Sequence, residues 1–166
     1  MRIAGVTHES IVDGPGLRFV VFAQGCPHRC PGCHNPETWN PVEGEEWSVR
    51  ELFRIIRRSP DKVKGLTLSG GEPFLQAGQM AELASLTRQL GMDVTVYTGY
   101  VWEDLQEMAE TDPDIAKLLQ ETDLLVDGPY VEALKDIGLR FRGSVNQRLI
   151  DLKASRAEGK TVFLNI

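Results

Sequence analysis

Short apolar runs alternate along this chain with longer stretches whose apolar residues recur at helical spacing. The apolar runs are rich in β-branched and aromatic residues, a composition typical of buried strands. They predict strands at residues 17–24, 65–69, 93–97 and 123–126, with 160–164 as a candidate last strand.

The intervening stretches predict three helical regions. Ser48 opens a capping-box sequence, which places a helix start there. A second helix covers about 77–90 and stops at Gly91, a residue suited to the turn after a helix. A third begins at Trp102 and restarts at Pro113, because proline is accepted in the first helical turn.

Strand and helix alternate in the way that predicts a mostly parallel sheet with helices packed over it. With 166 residues, the chain is well short of the roughly 250 of a complete eight-stranded barrel. We therefore predict a single domain, residues 1–166, built as an open, partial (β/α) barrel or a doubly wound sheet. In either fold, ligands bind at the carboxyl ends of the strands.

Composition excludes several classes of protein. The chain is 42% hydrophobic and 25% charged, as in ordinary globular proteins, and its net charge of −6 includes no lysine- or arginine-rich block. That balance argues against a nucleic-acid partner. The first residues lack the apolar core of a signal peptide, and no apolar run approaches a membrane span, so we expect a cytoplasmic protein without membrane contact.

All three cysteines of the chain lie in the sequence GCPHRCPGCHNPETW, directly after the first predicted strand. Cys26, Cys30 and Cys33 have the spacing C-x3-C-x2-C, separated by proline and glycine residues that suit a tightly turning loop. In a reducing compartment, clustered cysteines are typical of metal or redox sites rather than disulfides. Thiolates are soft ligands that favour zinc or iron–sulfur clusters.

Two kinds of metal site are compatible with this loop. Three thiolates on a four-iron cluster would leave one iron free for an outside ligand. The alternative is a closed Cys3His zinc site, with His28 or His34 as its fourth ligand. Cys33 and His34 are adjacent and would have difficulty reaching the same ion, but the cysteines alone leave both alternatives open.

A second motif, Ser69-Gly70-Gly71-Glu72-Pro73, follows the second predicted strand. Two glycines at a strand end allow the backbone to approach a ligand where a β-carbon would obstruct it. Glu72 could accept a hydrogen bond from an ammonium group. Taken alone, the motif is also compatible with an ordinary strand-to-helix turn.

The C-x3-C-x2-C spacing followed by GGEP resembles the radical S-adenosylmethionine (SAM) superfamily. That resemblance implies a [4Fe–4S] cluster on Cys26, Cys30 and Cys33, with SAM bound to the free iron. It implies that Gly70, Gly71 and Glu72 hold the methionyl amino group. No catalytic group is expected beyond the cluster and SAM.

Further motifs narrow the resemblance, and they lie at 13–18 (DGPGLR), 33–39 (CHNPETW), 98–100 (TGY), 125–129 (LVDGP) and 142–148 (RGSVNQR). In order and spacing they resemble the anaerobic ribonucleoside-triphosphate reductase-activating proteins, which are glycyl-radical-enzyme activases. The resemblance implies a radical SAM fold and an oxidoreductase that cleaves SAM to methionine and a 5′-deoxyadenosyl radical. It also implies two partners, the large subunit of the reductase and a flavodoxin- or ferredoxin-type electron donor.

Individual residues follow from the same resemblance. Gly32 stands where many superfamily members have an aromatic residue, and the backbone of Gly32, Cys33 and His34 is expected to contact the adenosyl part of SAM. Thr98 and Asp127, at strand ends, either contact SAM or satisfy local turns.

The remaining polar residues near these motifs have less specific predictions. His8 and His28 are interpreted as ordinary polar residues. The basic group Arg140, Arg142 and Arg148 either docks on the reductase or is a solvated face.

Two other functions stay open from the sequence. One is a radical SAM enzyme acting on a small molecule, of the 7-carboxy-7-deazaguanine synthase type. The other is a non-catalytic zinc or iron–sulfur adaptor.

Overall fold

A computed structural model describes residues 1–166, which form seven strands and five α-helices. The strands are β1 Arg2–Ser10, β2 Arg18–Ala23, β3 Glu45–Glu46, β4 Gly65–Gly70, β5 Asp93–Tyr97, β6 Leu124–Asp127 and β7 Arg148–Asp151. The helices are α1 Val49–Arg57, α2 Ala77–Arg88, α3 Trp102–Ala109, α4 Pro113–Gln120 and α5 Leu152–Glu158.

The strands form one open sheet in the order β3-β1-β2-β4-β5-β6-β7. The consecutive neighbours β2, β4, β5 and β6 are parallel, while β1, β3 and β7 pair antiparallel at the two sides. The sheet ends in two edge strands and does not close. The predicted α/β class and open partial barrel are therefore confirmed, with a parallel centre.

The hydrophobic core lies on one face of the sheet. Because side chains alternate between faces along a strand, Phe19 and Val21 of β2 enter a core of 26 buried residues that also receives side chains from all five helices. The opposite face carries a smaller cluster of Leu124, Val126 and Leu149. The five helices therefore cover one face and leave the other available for a cleft.

Most predicted elements are confirmed. The middle strands begin and end within about two residues of the prediction. Ser48 forms both bonds of the predicted capping box with Glu51. The helix from Trp102 does break and restart at Pro113, where the Asp112 carboxylate accepts from two backbone amides.

Strand predictions at the two ends of the chain were wrong or absent. Residues 160–164 form only an isolated bridge between Phe163 and Ile150, because the edge position is taken by the unpredicted strand β7. Strand β1 was missed because polar residues and a glycine dilute its apolar pattern, and the two-residue β3 is too short to produce one. None of the helices has both the length and the apolar character needed to cross a membrane.

Candidate iron–sulfur site

The carboxyl ends of the parallel strands bring the predicted motifs together along one edge of the sheet. A cleft of about 570 Å3 opens there. Among the predicted site residues, the cleft is lined by Cys26, Cys33, His34, Gly70, Gly71 and Thr98. Cys30, Gly32, Glu72 and Asp127 lie close in sequence to this wall but do not line the cleft.

The cysteine loop, residues 26–33, follows β2 and is tied down at its start by backbone bonds. The Gly25 amide donates to the Thr38 carbonyl at 2.7 Å, and the Cys26 amide donates to the Trp39 carbonyl at 3.1 Å. Arg29 and Gly32 have positive φ angles of 49° and 78°, left-handed backbone conformations that are typical of turns. All three thiols are free and half-buried.

Burial raises the pKa of the Cys26 thiol, and the nearby Glu72 charge raises it further, while backbone amides that bond to the sulfur oppose the shift. Only the thiolate binds a metal. Binding of a cluster at this position must therefore release a proton from Cys26.

The donor set fits a multi-iron cluster better than a single zinc ion. No group of three or more histidine, cysteine or acidic side chains lies close enough to hold one metal ion. The His28 ring bonds to Glu72 at 2.7 Å, and the His34 ring packs 5.0 Å from the Tyr130 ring. Both histidines that could complete a Cys3His zinc site are therefore engaged with other groups, whereas a four-iron cluster on three thiolates needs no histidine from the chain.

The two glycines at the end of β4, Gly70 and Gly71, are required because the end of the neighbouring strand β2 lies very close. A β-carbon on Gly70 would lie 2.7 Å from the Ala23 amide nitrogen, and one on Gly71 would lie 2.3 Å from the Gly25 carbonyl oxygen. The Glu72 amide donates to that same Gly25 carbonyl at 2.8 Å. The ends of β2 and β4 thus approach too closely for side chains, and this packing brings the cysteine loop next to the Gly70–Gly71 backbone.

Glu72 is fully buried and accepts hydrogen bonds from four groups of the chain. Oε1 accepts from the Phe74 amide at 3.1 Å, and Oε2 is bonded to His28 at 2.7 Å and accepts from the Gly99 amide at 2.9 Å. The Thr98 hydroxyl is 2.9 Å from both oxygens. Because a carboxylate offers about four acceptor positions, these donors occupy its capacity. The expected contact of Glu72 and Thr98 with SAM stays a prediction.

Asp127 is also fully buried, and its partner is a cation. Arg148 Nε donates to Asp127 Oδ1 at 3.0 Å, and the Trp102 amide donates to Oδ2 at 2.8 Å. The same guanidinium makes two bonds to Glu103, of 3.0 and 2.7 Å. Arg148 therefore joins β6, β7 and α3, and it is not a free cation for docking.

The other two arginines of the predicted basic group line the cleft. Arg140 lies with its guanidinium 5.3 Å from the ring of Phe141, a residue with a positive φ of 63°. Arg142 has a buried Nε without a hydrogen-bond acceptor. Neither forms an ion pair within the chain, so docking of Arg140 and Arg142 on a partner stays a prediction.

Sequence reasoning missed the structural roles of Arg18 and His28. Arg18 is 1% exposed, and it donates to the Thr67 hydroxyl at 2.7 Å and to the Asp93 carboxylate at 2.6 Å. It thereby joins the start of β2 to β4 and β5. Two signals in the sequence could have indicated these roles: a lone arginine at the start of an apolar strand, and a histidine inside a cysteine loop.

Comparison with known proteins agrees with this geometry. A family model described as a 4Fe-4S single cluster domain matches residues 12–150. The chain is 37% identical over 144 residues to the anaerobic ribonucleoside-triphosphate reductase-activating protein of Vibrio cholerae, covering 82% of this chain and 89% of that protein. It is 37% identical over 148 residues to the protein of the same name from Escherichia coli, covering 82% and 90%.

A longer relative is the pyruvate formate-lyase-activating enzyme of Clostridium pasteurianum. It is 37% identical over 137 residues, which cover 79% of this chain and 53% of that enzyme. The family-model match spans both the cysteine loop and the strand ends around the cleft, and it confirms the predicted 4Fe-4S class of the site.

Proposed function

Because this chain belongs to the family of anaerobic ribonucleoside-triphosphate reductase-activating proteins, we propose that it activates such a reductase by generating a glycyl radical on its large subunit. The observation that carries the proposal is the cysteine loop itself. Its three thiols are free, and two of them, Cys26 and Cys33, line a cleft large enough for a small ligand.

Cys26, Cys30 and Cys33 would hold a [4Fe–4S] cluster through one thiolate each. When bound, that cluster would supply the electron for reductive cleavage of SAM, the chemistry by which a Cα hydrogen would be removed from a glycine of the reductase. The residues of this chain contribute binding, orientation and exclusion of water.

The cleft wall supports a site for SAM, the finer part of the cofactor proposal. Gly70 and Gly71 line the cleft, where their backbone is proposed to hold the methionyl group. Cys33 and His34 also line the cleft, and their backbone, together with that of Gly32, is proposed to contact the adenosyl group. Thr98 lines the same cleft, whereas Asp127 would act indirectly, since Arg148 occupies its carboxylate.

A reactive radical also needs surroundings that do not react with it. Ile11, Val12, Leu139 and Phe141 supply an apolar rim to the cleft, and a partner segment that enters there would exclude water from the reaction.

The electron donor is proposed to be a flavodoxin- or ferredoxin-type protein. Such reduced donors, and thiols that must stay free, support a cytoplasmic location.

Electron paramagnetic resonance (EPR) spectroscopy on a mixture of partners tests the proposal. The protein is reconstituted anaerobically with iron and sulfide, reduced, and mixed with SAM and an anaerobic ribonucleoside-triphosphate reductase. We expect a glycyl radical signal on the reductase, together with release of 5′-deoxyadenosine. Cleavage of SAM without any radical on the reductase would instead favour a small-molecule substrate, and no cleavage would favour the adaptor.

A further inference from the structure

His28 connects three segments of the chain through one side chain. It lies inside the cysteine loop, its side chain is 16% exposed, and its Nε2 is 2.7 Å from Glu72 Oε2. The ring meets the Tyr100 ring edge-on at 4.5 Å. It also packs against Gly99, where a β-carbon would lie 2.4 Å from the imidazole. The cysteine loop, the end of β4 and the turn after β5 therefore meet at this imidazole.

The direction of the His28–Glu72 bond follows from the other partners of the carboxylate. Glu72 accepts from the Phe74 amide, the Gly99 amide and the Thr98 hydroxyl. A carboxylate that accepts from every other neighbour also accepts here, so the imidazole Nε2 is the donor. A hydrogen bond to a charged acceptor is among the stronger kinds in proteins.

This bond is also the main polar attachment of the cysteine loop. Residues 27–32 make one hydrogen bond to the chain outside the loop, and that bond is His28 to Glu72. The bond between the Cys33 amide and the Cys30 carbonyl, at 3.0 Å, stays within the loop. Without His28, residues 27–32 would have no hydrogen bond to the chain outside the loop.

We propose that His28 is a positioning residue for the iron–sulfur cluster, because its bond to Glu72 holds the cysteine loop in the conformation that receives the metal. The proposal rests on the proposed function only in assuming that the cluster binds at Cys26, Cys30 and Cys33. Side chains that orient metal ligands from outside the coordination sphere commonly change metal affinity by roughly 10–100-fold when they are replaced. Here the imidazole acts on the loop as a whole.

Iron release from the reconstituted protein to a chelator, measured anaerobically, tests this role. We expect His28→Ala to release iron roughly tenfold faster than the wild type. His28→Gln keeps an N–H donor of similar reach and should release iron close to the wild-type rate. The matched control is His8→Ala, because His8 is exposed on β1 outside the cysteine loop and its ring packs edge-on against the Phe19 ring, so the rate of iron release should be unchanged.

A double-mutant cycle separates positioning from a general loss of stability. If the bond to Glu72 is responsible, His28→Ala should have little further effect in a Glu72→Gln background. Additive effects, or a wild-type rate in His28→Ala, would overturn the proposal. Should His28→Ala fail to fold, His28→Gln decides, since rapid iron release from that variant would also overturn it.

A spectroscopic measurement completes the test. Adding SAM should change the EPR signal of the reduced cluster in the wild type and in His28→Gln, and should change it less in His28→Ala. Iron release requires neither SAM nor the reductase. A wild-type protein that bound the cluster but activated no reductase would therefore refute the proposed function and leave the result on His28 standing.

Discussion

Glu72 and Asp127 are both fully buried carboxylates at the ends of parallel strands, yet their surroundings differ. Asp127 is bonded to the cation Arg148, which also binds Glu103 and so joins two strands to a helix. Glu72 is bonded only to polar groups of turns and to His28 of the cysteine loop. The first arrangement joins elements of the framework, and the second is bonded to the loop proposed to bind the cluster.

Substitutions around Asp127 and substitutions around Glu72 should therefore affect different properties of the protein. Changes around Asp127 should lower the free energy of unfolding. Changes around Glu72 should act mainly on the cluster and on SAM, because the loops it joins lie at the edge of the core.

Replacing any one cysteine of the loop with alanine should abolish SAM cleavage, because two thiolates do not hold a [4Fe–4S] cluster securely. The apo protein should keep its free energy of unfolding within about 0.5 kcal/mol, since the thiols are half-buried and contribute little packing. Iron content, 5′-deoxyadenosine release and urea unfolding measure the three quantities. Full turnover by any of these variants would show that the ligand assignment is wrong.

Asp127→Asn should lower the free energy of unfolding by about 3 kcal/mol, because it removes the buried charge that pairs with Arg148. Urea denaturation of the apo protein measures the change. Asp104→Asn is the control, since Asp104 is exposed on the same helix as Glu103 and makes no hydrogen bond through its side chain. Equal effects of the two substitutions would remove the distinction between a framework carboxylate and a loop carboxylate.

Gly71→Val should lower the free energy of unfolding by about 2 kcal/mol and weaken SAM binding, because its β-carbon would meet the Gly25 carbonyl at 2.3 Å. The φ angle of Gly71 is not positive, so the effect is steric rather than conformational. Gly5→Val is the control, since nothing lies within 4 Å of a β-carbon there. Unchanged SAM affinity, measured by titration of the reconstituted protein, would remove Gly71 from the cofactor site.

Glu72→Gln should lower the free energy of unfolding by only about 1 kcal/mol. The NH2 group of glutamine would face other hydrogen-bond donors, which is unfavourable, but the remaining amide oxygen would still accept and so limit the loss. Its larger effect should be a partial loss of SAM cleavage through the cysteine loop. Glu82→Gln, at an exposed position of α2, serves as control. Loss of stability as great as in Asp127→Asn, with cleavage intact, would contradict the distinction.

The smallest effect concerns pH. The hydrogen bond from Arg148 lowers the pKa of the Glu103 carboxyl below its ordinary value of 4.5. The pair therefore contributes stability above that value and loses it as pH falls through the lowered pKa. Because Glu103 is 61% exposed, the contribution should be only a few tenths of a kcal/mol. The stability difference between wild type and Glu103→Gln should hold near neutral pH and disappear in acid, and a constant difference would contradict the assignment.

The sequence predicts the central part of the fold because its strands are buried on both faces and its helix caps are encoded locally. Ser48 and Pro113 mark helix starts by residue type alone. Strand β7, Arg148–Asp151, gives no such signal, because its four residues are held in place by pairing with β6. Local pattern carries no information about pairing between segments distant in the chain.

The candidate site divides in the same way. The cysteine spacing and the glycine pair are visible in the sequence and lead to the cleft. Three contacts of the site were not predicted: Gly71 packs on Gly25, Arg148 is bound by Asp127, and His28 bonds to Glu72. These contacts join segments that are distant in the chain, and spacing along the sequence does not encode them.

The most direct test of the whole account is metal analysis of oxygen-free protein combined with EPR spectroscopy before and after SAM is added. The account predicts iron and sulfide in equal amounts, corresponding to one [4Fe–4S] cluster per chain, and a reduced-cluster signal that changes when SAM binds. A colourless protein that carries one zinc ion per chain, or a cluster whose signal ignores SAM, would contradict it.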